Sequence, residues 1–505
     1  MSLFLGGLAL LVIGYFTYGR FVELIVRPDY HVTPVVLKED GVDFVPLPRW
    51  KNMLIQLLNI AGTGPVMGVI LGIKFGKIAL LIIPIGCIFM GAVCDFMAGM
   101  MSLRMGGANL PRMVRANLGD RFASVFTWVM MFLLMLCVTV FINVPADLID
   151  KTYLPNVSFY WWAIAIIFFY YVIATLFPVD KIIGRIYPFF GALLLIGSAA
   201  IAVALVIAGF HNPAILNDCP GFDNFKSLNP LFPCLFVTIS CGIISGFHST
   251  QSPIVARTMR SRREARATFY GMMIAEGVIA MIWASAALAL YNVAPENLAL
   301  KGPAVLGNVA MHFLGKWMGG VTVAAIVVLA ITSGDTALRS ARLSFGEELS
   351  IEQRKISKRL LCTVPFVAIV LFMLWWSSRD IKSFNHLWNY FAWGNQAVAV
   401  TTLLSSTVWL RKNGKGLKAL VTAIPCVFMM TVVVSYILWT AAVGGQPWGI
   451  IWKFVDGKLV NCGLPLVPSI VIGVALALIT VSVMWVRTKA DEPQRLLKHE
   501  KVEKS

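Results

Sequence analysis

Apolar residues occur along the chain in long runs separated by short polar segments. A run of about 20 such residues can cross the hydrocarbon core of a bilayer as an α-helix. Runs of this length recur from one end of the sequence to the other, which predicts an all-α polytopic membrane protein of about thirteen transmembrane helices. The first run lacks the basic start and small-residue cleavage site of a signal peptide, so we expect it to be retained. The predicted spans lie near residues 3–19, 53–73, 78–102, 123–144, 160–177, 187–209, 231–252, 268–292, 319–335, 359–377, 384–410, 418–443 and 466–487.

Two of the predicted spans are interrupted by glycine, proline and polar residues. The second span contains Gly62, Thr63, Gly64 and Pro65 in succession. The seventh span begins as an apolar helix and ends in a longer interruption, which comprises Ser245, Gly246, His248, Ser249, Thr250, Gln251, Ser252 and Pro253. Unpaired backbone groups cost several kcal/mol in hydrocarbon, so non-helical backbone is expected only inside protein or beside a water-filled cavity. The two interruptions therefore predict a substrate-binding site between them.

The positions of the interrupted spans also predict an inverted repeat. They are five spans apart, so they cross the membrane in opposite directions. Interrupted helices in corresponding positions of two inverted halves are typical of secondary transporters. We therefore predict a leucine-transporter-like core of two five-helix repeats, 5+5, with one extra N-terminal and two extra C-terminal helices. The corresponding segments are 1–52, 53–209, 210–410 and 411–487, followed by a charged tail at 488–505.

Composition and charge agree with a membrane protein. Charged residues make up 13% of the 505 residues, against about 25% in soluble domains. The net charge is +17, and the basic residues alternate along the chain, with 32 after odd-numbered spans and 10 after even-numbered spans. Basic residues concentrate in cytoplasmic loops, so this count predicts a periplasmic N-terminus and a cytoplasmic C-terminus. The positive charge thus needs no nucleic-acid partner; the predicted surroundings are the lipid bilayer.

The nine cysteines have no metal-binding or redox spacing, and we predict no metal site. Cys219, Cys234 and Cys462 fall at loops or span ends on one predicted side of the membrane. A disulfide among them could form, and the sequence does not determine the pairing. The other six lie within apolar runs, where cysteine behaves as a small buried apolar residue: Cys87, Cys94, Cys137, Cys241, Cys362 and Cys426.

The first interruption has the composition of an anion-binding helix start. Gly62 and Gly64 permit a turn of the backbone, and Pro65 suits the first turn of a restarted helix. The amides at that helix start, with the positive end of the helix dipole, would receive a substrate carboxylate. The alternative is a proline kink or a glycine packing face, both common in membrane helices. The matching interruption in the seventh span favours the binding site.

His248 is the titratable residue of the second interruption. It could donate a hydrogen bond to a substrate carboxylate, or bind and release a proton during ion coupling. The alternative is a neutral histidine that pairs with backbone carbonyls freed by the break. In either case we expect Ser245, Gly246, Ser249 and Gln251 to line the substrate cavity.

A second polar cluster ends the ninth predicted span. Thr332, Asp335, Thr336 and Arg339 share one helical face, and Ser333 adjoins them. A carboxylate among hydroxyl groups predicts an ion-coupling site for H⁺ or Na⁺. Alternatively, Asp335 and Arg339 neutralise each other as an i, i+4 pair.

Four more polar residues lie within predicted spans. Asp95 and Glu276 are placed where a carboxylate is costly and usually functional. We predict ion coupling for Asp95, against the alternative that it is a structural partner of the backbone or of Arg104; Glu276 has the same two alternatives. Asn395 and Gln396 also need partners, which neighbouring helices most simply supply, so we predict a structural role for both.

Enzyme motifs are absent from the sequence: it has no Walker A loop, dinucleotide fingerprint, nucleophile elbow or zinc-protease pair. We therefore predict a protein that is not an enzyme, has no cofactor and draws on an ion gradient. Two other classes stay open at this point. A channel would need a continuous polar pore, and a membrane-embedded enzyme would need His248 with Asp95 or Asp335 as acid and base.

Five stretches of the sequence resemble motifs of the carbon starvation protein A (CstA) family of bacterial transporters. They are DGVDFVP with IAGTGPVMG, GAVCDFMAGMMSLRMGG, SGFHSTQSPIVAR, SGDTALRSAR and LWNYFAWGNQ, in order from residue 40 to about residue 400. The resemblance implies a multi-pass importer of the bacterial inner membrane on a leucine-transporter-like scaffold. It implies uptake of short peptides or, in some members, pyruvate. The family's membrane acidic positions fall on Asp95 and Asp335.

The chain looks like the shorter branch of that family. Longer members carry a paired histidine before the first break, where this chain has Ile55 and Gln56. The resemblance therefore leaves the coupling ion and the substrate open. The preferred hypothesis is a cation-coupled symporter for short peptides used during carbon starvation, with small carboxylates such as pyruvate as the alternative. A starvation sensor without transport is a further class, and the sequence makes no prediction of oligomeric state.

Overall fold

The computed structural model describes residues 1–28, 31–41, 43–153, 158–176, 179–219, 229–300, 302–353, 355–379, 381–440, 450–455 and 458–488. Most of the predicted charged tail lies outside these ranges, as does the side chain of Thr63. Two short antiparallel strands, Trp452–Val455 and Lys458–Asn461, form a hairpin in which Trp452 faces Asn461. Nearly everything else that the structure describes is helical or connects helices, which confirms the predicted all-α class.

The structure contains twenty α-helices in the part of the chain that it describes. The α-helices are Ser2–Phe16, Tyr18–Val26, Pro34–Leu37, Arg49–Ile60, Thr63–Gly72, Ala79–Gly86, Ala92–Arg104, Leu110–Leu118, Asp120–Tyr153, Tyr160–Leu176, Val179–His211, Leu231–Thr238, Ser240–Ile243, Gly246–Ala256, Gly271–Val293, Gly302–Glu348, Ile356–Ser377, Ile381–Lys412, Leu420–Trp439 and Leu466–Arg487. Short 3₁₀ turns lie at Ile73–Phe75, Pro213–Leu216, Arg262–Glu264, Pro295–Ala299 and Gly416–Ala419, and π-helical turns at Cys87–Gly91 and Arg266–Tyr270.

Within the described residues, nine helices are long and apolar enough to cross a membrane. A tenth span results if Arg49–Ile60 and Gly64–Phe75, which are bent by 47° relative to each other, are counted together. The other predicted spans fall on the 17-residue helix Tyr160–Leu176, on the short helices between residues 231 and 256, and on Ile381–Lys412. The number thirteen and the 5+5 repeat therefore stay predictions.

Burial separates central helices from peripheral ones. In the apolar windows of Ala79–Arg104 and Arg262–Val293, 78% and 89% of the residues are buried within the protein. In the corresponding windows of Ser2–Val26 and Leu466–Arg487 the buried shares are only 28% and 22%. The first and last helices thus lie at the rim and present large apolar side chains outward, as a lipid environment permits. The broken helices described below pack among the central ones.

Gly246 marks a close approach between two central helices. A Cβ atom at this position would lie 2.5 Å from both Ala399 N and Val398 Cβ of helix Ile381–Lys412. Gly246→Ala must therefore push the two helices apart, and overpacking of this kind costs about 1–3 kcal/mol. We expect a lower melting temperature in detergent, measured by size-exclusion chromatography after heating.

The matched control is Gly320→Ala in helix Gly302–Glu348, where a Cβ atom would meet no atom within 4 Å. Alanine favours a helix over glycine by about 1 kcal/mol, so this change should leave the melting temperature unchanged or raise it slightly. Equal melting temperatures for the two variants would contradict the close packing at Gly246.

Candidate functional site

The backbone leaves the helical conformation at both interrupted spans. Helix Arg49–Ile60 ends at Ala61, Gly62 is extended with φ −74° and ψ −161°, and a new helix begins at Thr63. In the other span, Ile244 and Ser245 are both extended before helix Gly246–Ala256 begins. We call the segment 49–72, interrupted at Gly62, the first broken helix. The segment 231–256, interrupted at Ile244 and Ser245, is the second broken helix. The second break is shorter than the sequence predicts, because residues 246–256 are helical.

Polar side chains of the second broken helix explain why it continues as a helix past so many polar residues. Ser252 Oγ donates to His248 O at 3.0 Å, and Thr250 Oγ1 donates to Phe247 O at 2.7 Å. These hydroxyl groups therefore pair with the backbone of their own helix instead of breaking it. Pro253 lies inside the helix.

Two side chains from other helices complete the hydrogen bonding at the breaks. Ser333 Oγ donates to Asn59 O at 3.2 Å, at the end of the first half-helix. At the second break, Asn395 Oδ1 accepts from Phe247 N at 2.7 Å, and Asn395 Nδ2 donates to Ser245 Oγ at 2.9 Å. Helix ends leave unpaired backbone groups, which these side chains satisfy. Gln396 Nε2 similarly donates to Phe236 O at 3.0 Å.

The two broken helices lie against each other at their breaks. A Cβ atom at Gly64 would lie 3.1 Å from Cys241 Sγ, and one at Gly68 would lie 2.8 Å from Thr238 O. Glycine at these two positions therefore lets the backbone of the first broken helix approach the second closely. The two interrupted segments predicted from the sequence therefore adjoin in the structure.

Three titratable side chains from different helices meet beside the second break. His248 Nδ1 lies 3.2 Å from Asp95 Oδ2, and His248 Nε2 lies 3.7 Å from Glu276 Oε1. Asp95 belongs to helix Ala92–Arg104 and Glu276 to helix Gly271–Val293. The side chains are 1% exposed for His248 and 0% for both carboxylates. We call this group the His248 cluster.

The His248 cluster has more acceptors than donors. A neutral imidazole carries one N–H group and can donate to only one carboxylate, whereas an imidazolium donates to both. Asp95 Oδ1 and both carboxylate oxygens of Glu276 have no hydrogen-bond partner among the described residues. With two ionised carboxylates and a neutral imidazole the cluster would carry two negative charges, which is costly in the interior. Two protons, or one proton and one other monovalent cation, neutralise it.

Asp335 lies in a separate polar site on helix Gly302–Glu348. Its Oδ2 accepts a hydrogen bond from the Tyr170 hydroxyl at 2.7 Å, and its side chain is buried. Arg339, which the sequence offered as an i, i+4 partner, donates from Nη2 to Ala174 O at 2.6 Å, and its Nη1 lies 3.5 Å from Asp43 Oδ1. Tyr170 is thus a partner of Asp335, and Asp43 is a partner of Arg339. Helical spacing alone suggested neither pair.

The remaining predicted site residues have local roles in the structure. Thr332 Oγ1 donates to Leu329 O, and Thr336 Oγ1 donates to Ser333 O, both at 2.9 Å within the same helix. Ser249 Oγ lies 3.5 Å from Cys94 Sγ, beside the His248 cluster. Gln251 Nε2 donates to Thr250 Oγ1 at 2.9 Å. All nine cysteines lie in the described part of the chain, and no disulfide joins Cys219, Cys234 or Cys462 there.

The sequence left the role of Glu276 open and made no prediction for Asp43. Glu276 was visible as a carboxylate inside an apolar run, which is the signal that identified Asp95. Gln56 is fully buried, and neither side-chain amide atom has a hydrogen-bond partner in the part of the chain described. A buried and unsatisfied amide of this kind is available to a ligand.

Asp43 and nearby residues hold one end of the broken helices together. Leu47 N donates to Thr258 O at 3.0 Å, and Thr258 Oγ1 donates to Asn52 Oδ1 at 2.7 Å. Asp43 Oδ1, four residues before Leu47, lies 3.5 Å from Arg339 Nη1 and 3.7 Å from Arg342 Nη2. The loop between residues 43 and 47 therefore joins both broken helices to helix Gly302–Glu348. We call this set of contacts the strap.

The charge of Asp43 is stabilised by its surroundings. Burial by itself would raise the pKa of the Asp43 carboxyl, because the charged form loses solvation. Four guanidinium groups outweigh that effect and hold the pKa below its ordinary value: those of Arg342, Arg339, Arg257 and Arg359. Asp43 therefore stays ionised across the neutral pH range.

A solved structure shares the fold of this chain. The crystal structure of an Eremococcus coleocola manganese transporter matches with a TM-score of 0.53 at 12% identity, covering 89% of this chain and 98% of that one. This likeness shows a shared fold. The relatives described next, two of which bear the name peptide transporter, agree with the prediction that the chain is not an enzyme.

Among the relatives, an uncharacterized membrane protein of Haemophilus influenzae is 41% identical over 336 residues, which cover 56% of this chain and 89% of that protein. The peptide transporter CstA of Campylobacter jejuni is 24% identical over 545 aligned positions, covering 83% and 77% of the two chains. That of Bacillus subtilis is 23% identical over 537 positions, covering 86% and 89%.

The sequence profile of the family described as carbon starvation protein CstA matches residues 1–161, 150–314 and 297–436. These matches overlap and together extend from residue 1 to residue 436, within helix Leu420–Trp439, so all five of the motif stretches in the sequence lie within them. The relatives and the apolar helices show a multi-pass membrane protein. This chain belongs to the carbon starvation protein CstA family.

Proposed function

We propose that the protein is a cation-coupled symporter that imports short peptides across the bacterial inner membrane. Relatives that align with more than four-fifths of the chain bear the name peptide transporter, which supports the substrate class. The shared fold with a solved transporter supports the mode of action. The family name further suggests that uptake serves growth when carbon sources are scarce.

The observation that carries ion coupling is the His248 cluster. It adjoins the second break, and it reaches neutrality only when it binds protons or another cation. Titratable groups buried in a membrane protein commonly mark ion pathways. A cluster that alternates between a cation-bound and a cation-free form beside the substrate site can link the two movements, because substrate and ion then stabilise the same conformation.

The contacts of the strap with the broken helices also support alternating access. The count of basic residues assigns the strap to the cytoplasmic end and the ends of helices at Phe75 and Trp439 to the periplasmic end. On this orientation the N-terminus is periplasmic and the C-terminus cytoplasmic. The strap closes the cytoplasmic side, and its release lets the broken helices separate there. Movement of one five-helix repeat against the other around a fixed site is the usual form of this cycle.

Uptake by purified protein in proteoliposomes tests the proposal. We expect saturable accumulation of labelled dipeptide above the external concentration under an inward H⁺ or Na⁺ gradient, and less accumulation of labelled pyruvate. Collapse of the gradient with an ionophore should return the dipeptide to equilibrium. Flux that is unsaturable and indifferent to both gradients would indicate a channel, and accumulation of pyruvate alone would replace peptides by small carboxylates as the substrate class.

A further inference from the structure

A cavity of 350 Å³ lies between the two broken helices and two later helices. Gly64 and Gly68 of the first broken helix and Ser240 and Cys241 of the second form one part of its wall. The cavity thus reaches both breaks. Helices Ile381–Lys412 and Leu420–Trp439 supply the rest of the wall, mainly through aromatic side chains.

Among the described residues that line this cavity, none is Asp, Glu, Lys, Arg or His. Five of them are aromatic: Phe75, Trp388, Phe391, Tyr436 and Trp439. Aromatic walls bind apolar groups through large contact areas, and they offer no counterion to a small anion.

Two polar groups at the cavity have hydrogen-bonding capacity left. Thr440 lines the cavity and is fully buried, and its Oγ1 has no hydrogen-bond partner among the described residues. Gly64 lies in the first turn of the ten-residue helix Thr63–Gly72, where backbone N–H groups lack partners within the helix. These groups suit the amide and carboxylate groups of a peptide backbone.

The volume of the cavity also favours a dipeptide over a small carboxylate. Each water molecule takes about 30 Å³ in the liquid, so 350 Å³ is the volume of roughly a dozen water molecules. A dipeptide with apolar side chains can occupy such a space, whereas a three-carbon keto acid leaves much of it empty.

We propose that this cavity is the outward-facing peptide site and that it selects dipeptides with large apolar side chains, with Trp388 as a residue that sets this preference. The proposal rests on the proposed peptide transport and adds the chemical class of the preferred substrate. The peptide backbone binds at Gly64 and Thr440, and the side chain packs against the aromatic wall.

Binding to the purified full-length protein in detergent tests the proposal without any gradient. Equilibrium dialysis with labelled dileucine, dialanine and pyruvate gives three dissociation constants. We expect dileucine to bind roughly tenfold more tightly than dialanine, as is usual for added methylene groups in an apolar pocket, and pyruvate to bind weakest. Equal affinities for the two dipeptides, or tightest binding of pyruvate, would overturn the proposal.

Trp388→Ala should reduce the affinity for dileucine about tenfold and reduce that for dialanine less, so that the preference between them shrinks. The matched control is Trp162→Ala, since the Trp162 side chain is 68% exposed on the outside of helix Tyr160–Leu176. If Trp388→Ala does not fold, Trp388→Phe and the wild-type preference still decide the outcome. A preference that survives both Trp388 variants unchanged would contradict the assignment of this residue.

The results separate this inference from the proposed function. Selective binding of dileucine without gradient-driven uptake would leave the site in place and contradict symport. Gradient-driven uptake of dipeptides without side-chain preference would support symport and contradict the aromatic site.

Discussion

His248→Gln is expected to abolish the accumulation of substrate against its gradient while leaving counterflow exchange of substrate across the membrane. Glutamine can still donate a hydrogen bond toward Asp95, which lies 3.2 Å from the imidazole. It has no titratable group, so the His248 cluster loses one of the sites at which it binds a proton. Exchange requires only that the loaded carrier reorients, whereas accumulation requires that cation binding and substrate binding depend on each other.

The measurement compares two assays in the same proteoliposomes. In the first, an inward ion gradient drives uptake, and we expect the final internal concentration to fall from above the external value to equal it. In the second, vesicles preloaded with unlabelled substrate exchange it for labelled substrate, and we expect the rate to stay within about threefold of wild type. The control is His312→Gln, because His312 is exposed and lies apart from the His248 cluster in the sequence.

Loss of both activities in His248→Gln, together with a lower melting temperature, would assign His248 a structural role only. Normal accumulation would exclude it from coupling altogether. Glu276→Gln and Asp95→Asn extend the same test, since each removes one carboxylate from the His248 cluster. If only one of the three variants uncouples transport, that residue carries the cation and the other two position it.

Sequence reasoning located the broken helices because their cause is local. Gly62 and Gly64 free the backbone, Pro65 removes a donor, and a run of hydroxyl and amide groups around Ser245 is costly in lipid. These effects depend on a few consecutive residues, so they are visible in the sequence. The length of the second break was not predictable in the same way, because Ser252 and Thr250 satisfy backbone carbonyls of the helix that they were expected to interrupt.

Contacts between distant residues set the remainder of the site. Asp95, His248 and Glu276 each attracted notice as a polar group in an apolar run, but their meeting depends on how three helices pack. The same applies to Asp335, whose hydroxyl partner Tyr170 comes from a helix 165 residues earlier in the chain. Helical spacing suggested only Arg339, since a single helix reveals only neighbours three or four residues apart.

Asp43→Asn is expected to open the strap and to shift the protein toward a conformation that is accessible from the cytoplasm. Asparagine keeps the size of the side chain and removes its charge. Arg339 and Arg342, which are 2% and 0% exposed, then lack the carboxylate that faces them. Removal of one partner from a buried ion pair costs about 3–5 kcal/mol, which is comparable to the free-energy differences between conformations of a transporter.

Hydrogen–deuterium exchange in lipid nanodiscs measures this shift. We expect faster exchange in Asp43→Asn at residues 43–52 and 257–259, which carry the strap, and unchanged or slower exchange at residues 231–241 near the opposite end. The control is Glu39→Gln, because Glu39 is exposed and lies in the same loop as Asp43. A uniform rise in exchange over all helices would indicate general destabilisation, and an unchanged pattern would contradict the strap.

The pH dependence of the strap gives an independent check on its charge. The arginines lower the pKa of Asp43, so the stability that its ionised form contributes is fully present above the ordinary carboxyl pKa. That contribution is lost only as the pH falls through the lowered value. Wild-type exchange at residues 43–52, corrected for the intrinsic rate, should therefore stay constant between about pH 5 and pH 8. A change of transport rate within that window must come from other groups, and the variants of the His248 cluster identify them; a strap that loosens near pH 6 would instead show that Asp43 is not held ionised by its four arginines.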